Sequence, residues 1–113
     1  MPIQHVNEVV VMLPVHKLYV GLSRPDSHIK INPDDVVSAV AERIESFTIS
    51  DAQGYFRGVP EHTLVITIAH DDRYLVENVA QDLRARLQQE GVGLECDGVY
   101  TRITSAEVPV SGV

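Results

Sequence analysis

The chain has 113 residues and a mass of 12.5 kDa, the size of one domain. Nine Lys and Arg stand against 16 Asp and Glu, a net charge of −7. That balance argues against a nucleic-acid or anionic-membrane binder, because both depend on neutralising phosphates. The single cysteine, Cys96, excludes an internal disulfide and a Cys-rich zinc site.

Read in chain order, Glu8 to Leu13 is an edge strand or part of an extended N-terminal arm over residues 1–15. Its apolar run, Val9 to Leu13, is too short for a signal-peptide core or a membrane span, and no basic region precedes it. With one unpaired thiol, the reading places the protein in the cytoplasm. Lys17 to Leu22 alternates with Leu18, Val20 and Leu22 on one face, which predicts a first strand. Ser23-Arg24-Pro25-Asp26-Ser27 then reads as a turn.

Asn32-Pro33-Asp34-Asp35 predicts a helix start. Asn caps, Pro suits the first helical position, and the two acids meet the positive end of the dipole. Val36, Val37, Val40, Ala41 and Ile44 carry that helix to about Glu45. A second strand opens at Phe47 and Ile49 and reaches Gly54 or a little beyond. A third runs from Thr63 to Ala69, with Leu64, Ile66 and Ile68 on one face. Asp71 or Asp72 caps a second helix, about Arg73 to Glu90, with Gly91 expected in the left-handed position that ends it. A last strand covers about Leu94 to Ile103, and residues 105–113 form a mobile tail.

The order β-α-β-β-α-β predicts one α+β domain of ferredoxin-like type. Its four-stranded antiparallel sheet would carry both helices on one face. The other face is expected to present Tyr19, Val65, Thr67, Ala69 and Val99 or Tyr100, more apolar than a solvated surface. This predicts a homo-oligomer, a dimer or trimer.

Three constellations could carry chemistry. On the hairpin between the second and third strands, Arg57 can hold a carboxylate or phosphate, Tyr55 can stack on a planar ligand, and Gly54 and Gly58 admit a close anion. The ordinary alternative is that the aromatics finish the core and the glycines make turns. Glu61-His62 and His70-Asp71-Asp72 offer histidines for acid–base work, but the two lie about 26 Å apart along one strand and cannot share a metal. A strand end and a helix cap account for them equally. Arg24, in the turn ahead of the first helix, is a further anion contact, although no phosphate-loop pattern accompanies it. The candidate ligand-binding set is therefore Arg24, Tyr55, Arg57, Gly58, Glu61 and His62. No catalytic residue, metal or cofactor is assigned.

Phe47 to Gly58, with Gly54-Tyr55-Phe56-Arg57-Gly58 closing it, resembles the second strand and loop base of PII-like signalling proteins. That resemblance implies subunits of the same element order, forming trimers that bind adenine nucleotides at their clefts, with Gly54, Arg57 and Gly58 near the ligand. The family's long loop is reduced here to Gly58–His62. Lys17 to Pro25, Asp51 to Arg57 and Glu61 to Ile66 are also similar to a family of uncharacterised small bacterial proteins, which groups Arg24, Tyr55, Arg57 and Glu61 without giving them roles. The functional expectation is an oligomeric ligand-binding or regulatory module for a small anionic metabolite or nucleotide. The alternatives are a cofactor-free isomerase or oxygenase on a dimeric α+β barrel, with His62 or His70 reaching a cavity between helices and sheet, and an interaction module without a small-molecule site.

Overall fold

The computed structural model describes residues 8–23 and 30–105. Among these residues five strands and two helices follow in the order β1 (Val15–Gly21), α1 (Pro33–Ala41), β2 (Thr48–Phe56), β3 (Val59–Ala69), α2 (Arg73–Arg86), β4 (Gly91–Cys96) and β5 (Val99–Thr104). The strands form one antiparallel sheet in the spatial order β2-β3-β1-β4-β5. The α+β class is as expected, but the sheet has five strands where four were expected.

The fifth strand arises from a turn inside the segment read as a single last strand. Asp97 and Gly98 both take positive φ, 53° and 75°. That is the two-residue primed turn whose twist matches antiparallel strands. Arg57 and Gly58 do the same, at 51° and 79°, between β2 and β3. The segment Gly54–His62 is therefore not a loop. β3 begins at Val59, four residues before its expected start, and pairs Gly54 with Glu61 and Phe56 with Val59.

Alternation fixes the inner face. Leu18 and Val20 of β1, Leu64, Ile66 and Ile68 of β3, and Val92 and Leu94 of β4 are buried and pack as one cluster with α1 and α2. Cross-strand registers place Leu18 opposite both Ile66 and Leu94. Each fully buried aliphatic side chain contributes about 1.5–3 kcal/mol relative to exposure. From α1 the cluster takes Val36, Ala39 and Val40, and from α2 Val76, Val79, Ala80 and Leu83.

The caps follow the sequence. Asn32 accepts from the Asp34 amide at 2.9 Å, and Asp72 accepts from the Leu75 amide at 3.1 Å. Both helices stop about four residues earlier than their apolar spacing suggests. After α1 the chain turns so that Ile44 drops into the core. After α2 the positive-φ residue is Gln88, at 53°, while Gly91 opens β4. Gln89 is buried here, its Nε2 donating to the Ser23 carbonyl at 3.1 Å.

Among the described residues no helix is long and apolar enough to cross a membrane. Arg24, most of the turn around it, residues 1–7 of the expected arm and the tail beyond residue 105 lie outside the described residues. The rest of the arm, through Leu13, is exposed and outside any strand.

Candidate functional site

The sheet face turned away from the helices carries the site. Its positions follow from the registers: Tyr19 and Gly21 on β1, Gly54 and Phe56 on β2, Glu61 and Thr63 on β3, Gly91, Gly93 and Glu95 on β4, Tyr100 and Arg102 on β5. Four of these are glycines, and each lies beneath a side chain from the neighbouring strand. Thr63 covers Gly54, the Glu61 carboxylate covers Gly21, the Tyr100 ring covers Gly93 and Arg102 covers Gly91. A Cβ at any of the four would strike that neighbour. The missing side chains leave a trough across three strands, and side chains from β3 and β5 fold down into it.

The result is a cleft of about 240 Å³, bordered also by Tyr55, Phe56, Gln89 and Glu90. That is below the usual size of a drug-sized ligand's pocket, so it admits a ring or a side chain while the remainder of a ligand would extend outside.

The β2–β3 hairpin bends over one end. β1 pairs with β3 only up to Gly21–Thr63, with one further bond from the Leu22 amide to the His62 carbonyl at 2.9 Å. Beyond it the tip overhangs. There the Arg57 guanidinium pairs with Glu90, at the end of the α2–β4 connection, at 3.1 Å. Phe56 meets two guanidinium groups, Arg57 at 4.9 Å and Arg102 at 5.0 Å from its ring centroid. These are cation–π distances, and the Arg102 contact ties β2 and β5, the two outer strands, together across the open face.

At the other end Tyr19 donates its hydroxyl to Glu95 at 2.7 Å, and its ring meets Tyr100 at 6.0 Å between centroids. The hydrogen bond to the carboxylate, helped by burial, raises the Tyr19 pKa above its ordinary 10.0. Glu61 and Arg102 carry no side-chain hydrogen bond or ion pair with another described residue.

Of the residues expected from sequence, Tyr55 and Glu61 line this cleft, and Arg57 and Gly58 form the turn at its rim. His62 does not join them. It points to the opposite side of the hairpin and pairs with Asp51 at 2.7 Å. His70 is taken up locally, accepting from the Asp72 amide at 2.9 Å. The space between helices and sheet is filled by the aliphatic core, which leaves neither histidine a cavity there. No group of three or more His, Cys, Asp or Glu converges on a metal-sized site among the described residues.

Sequence reasoning gave Tyr100, Arg102, Gln89 and Glu90 no part in the site; it read Gly91 as a helix stop and gave Gly93 no role. The available signal was Asp97-Gly98. Read as a turn, it folds the last strand back and sets Tyr100 and Arg102 beside Gly93 and Gly91.

No family model matches the chain, and no curated protein matches it. Among solved structures it is similar to a phage SAM lyase in the apo state. The two share 18% identity and a TM-score of 0.68, over 93% of this chain and 99% of that one. At that identity the likeness is one of fold.

Proposed function

We propose that the open-face cleft binds a small ligand carrying a planar ring and both signs of charge, an amino-acid-bearing nucleoside such as S-adenosylmethionine. The observation that carries this reading is the pair Glu61 and Arg102. They are opposite charges on one glycine-floored cleft, neither paired with another described residue. Arg102 is a fork for a carboxylate. Glu61 suits an ammonium or sulfonium. Above the glycine floor Glu61, Thr63 and Tyr100 lie flat on the sheet, and Tyr100 offers an aromatic contact to the ring. Glu61 inside the cleft disfavours a purely anionic ligand, which narrows the anionic class expected from sequence. The fold likeness to a SAM lyase adds support of the associational kind only.

The protein is on this reading a binding or regulatory module that works as an oligomer. A second reading, cleavage of the same ligand, is favoured by one feature: Glu61 is an unengaged carboxylate inside the cleft, where it can serve as a base.

Calorimetry and thermal shift with S-adenosylmethionine, S-adenosylhomocysteine and ATP test the reading. S-adenosylmethionine is expected to bind, and Arg102→Ala and Glu61→Gln each to weaken it by tenfold or more. Binding of ATP alone would return the site to the anionic class, and binding of none of the three would overturn the proposal. Chromatography of the incubated ligand separates the two readings. Intact recovery marks a binding module, whereas turnover lost in Glu61→Gln marks a lyase.

A further inference from the structure

We propose that the tip of the β2–β3 hairpin is a latch over the cleft, held shut by Arg57–Glu90 and by the stacking of Arg102 on Phe56. The inference concerns a movement within the free protein. Only its consequence for ligand rests on the reading above.

The tip is the one part of β3 that extends past its partner β1, so residues 54–61 are paired only within the hairpin itself. What fastens it to the rest of the molecule is polar and exposed. The Arg57 and Glu90 side chains are 73% and 43% accessible, and an exposed ion pair shifts an equilibrium by about fivefold at most. Surface cation–π contacts are of similar size. The closed arrangement is therefore favoured by on the order of tenfold, weak enough to open on the timescale of loop motion. A tip fixed by core packing would behave differently, but Tyr55 and Val59 are exposed and the tip adds no residue to the buried cluster.

The same contacts define what opening does. Phe56 and Tyr55 belong to the cleft wall, and Phe56 is the surface on which Arg102 rests. When the tip lifts, the cleft loses one wall and Arg102 loses the ring that fixes its direction. Phe56 is thus a positioning residue for Arg102, and Arg57 and Glu90 act through the tip that carries it.

Amide hydrogen exchange of the free protein tests the latch. Glu90→Lys sets two cations against each other and is expected to speed exchange at the tip amides, residues 54–59 and 61, by threefold or more, with β1 and β4 unchanged. The double change Arg57→Glu with Glu90→Arg restores the pair and is expected to restore wild-type exchange. Unchanged tip exchange in Glu90→Lys, or exchange that quickens throughout the sheet, overturns the proposal. With S-adenosylmethionine as the probe, Glu90→Lys is expected to raise the dissociation rate severalfold, and the double change to reverse it. Should that probe fail to bind wild-type protein, the ligand reading falls and the exchange result still decides the latch.

Discussion

Tyr19 and Glu95 meet across β1 and β4, the phenol donating to the carboxylate at 2.7 Å. The bond exists only while Tyr19 keeps its proton, so the folded chain holds that proton more tightly than the unfolded one. Cys96 behaves alike, its thiol raised above the ordinary 9.0 first by burial and then by Asp97. For groups raised in the folded state, the stability they carry is complete below the unfolded pKa and is lost as pH rises through the folded one. Denaturation midpoints are therefore expected to fall above about pH 9, first through Cys96 and then through Tyr19. Cys96→Ala should flatten the early part of that decline and Tyr19→Phe the later part, measured by urea titration from pH 7 to 11. Tyr19→Phe should also cost about 1 kcal/mol at neutral pH.

On the proposed function, the glycine trough separates folding from binding. None of Gly21, Gly54, Gly91 and Gly93 has positive φ, so alanine is tolerated by the backbone. At Gly21 the atoms nearest the new methyl are the carboxylate end of the flexible Glu61 side chain, which can swing aside. Gly21→Ala is expected to keep stability within about 1 kcal/mol of wild type. It should displace Glu61 and weaken S-adenosylmethionine by about tenfold, a difference of roughly 1.4 kcal/mol. Thermal melts and calorimetry on one sample check both halves.

At Gly98 the balance reverses. Its φ of 75° is costly for any residue with a Cβ, although the space around it is open. Gly98→Ala is expected to lower stability by about 1 kcal/mol and to loosen β5 selectively. Faster amide exchange at Val99–Thr104, with β1 and β3 unaffected, is the measurement.

Val9, Val10, Val11 and Met12 are consecutive and 69–89% exposed. Four such side chains left in water would be an unusual feature of a monomer, and the proposed oligomer gives them a partner. Sedimentation at micromolar concentration is expected to show a dimer or trimer. The triple change of Val9, Val10 and Val11 to Ser should shift it toward monomer without moving the midpoint of secondary-structure loss in dilute solution.

How much of this could be read beforehand depends on where the information resides. Alternation around Leu18 and Ile66 and the caps at Asn32 and Asp72 are local, and sequence shows them directly. The fifth strand was also legible, since Asp97-Gly98 is a hairpin signal, but strand-like alternation continuing on both sides disguised it. Helix ends were obscured because Ile44 and Leu87 continue the apolar spacing while belonging to turns. The site was readable only in part. Tyr55 and Glu61 are close in sequence, whereas Arg102 and Gly91 reach them through β-sheet registers that no local pattern encodes. His62 and Glu61 adjoin in sequence and face opposite ways, because successive strand residues alternate.

The turn at Asp97-Gly98 also divides the labour of the chain. Everything before it completes the hydrophobic interior, and β5 adds only Ile103 to that packing. What β5 supplies instead is Tyr100 and Arg102. A relative could keep the scaffold intact and exchange these six residues for others, changing what the open face recognises with little effect on whether the molecule folds. On the proposed function, ligand preference in this architecture can thus drift faster than its core.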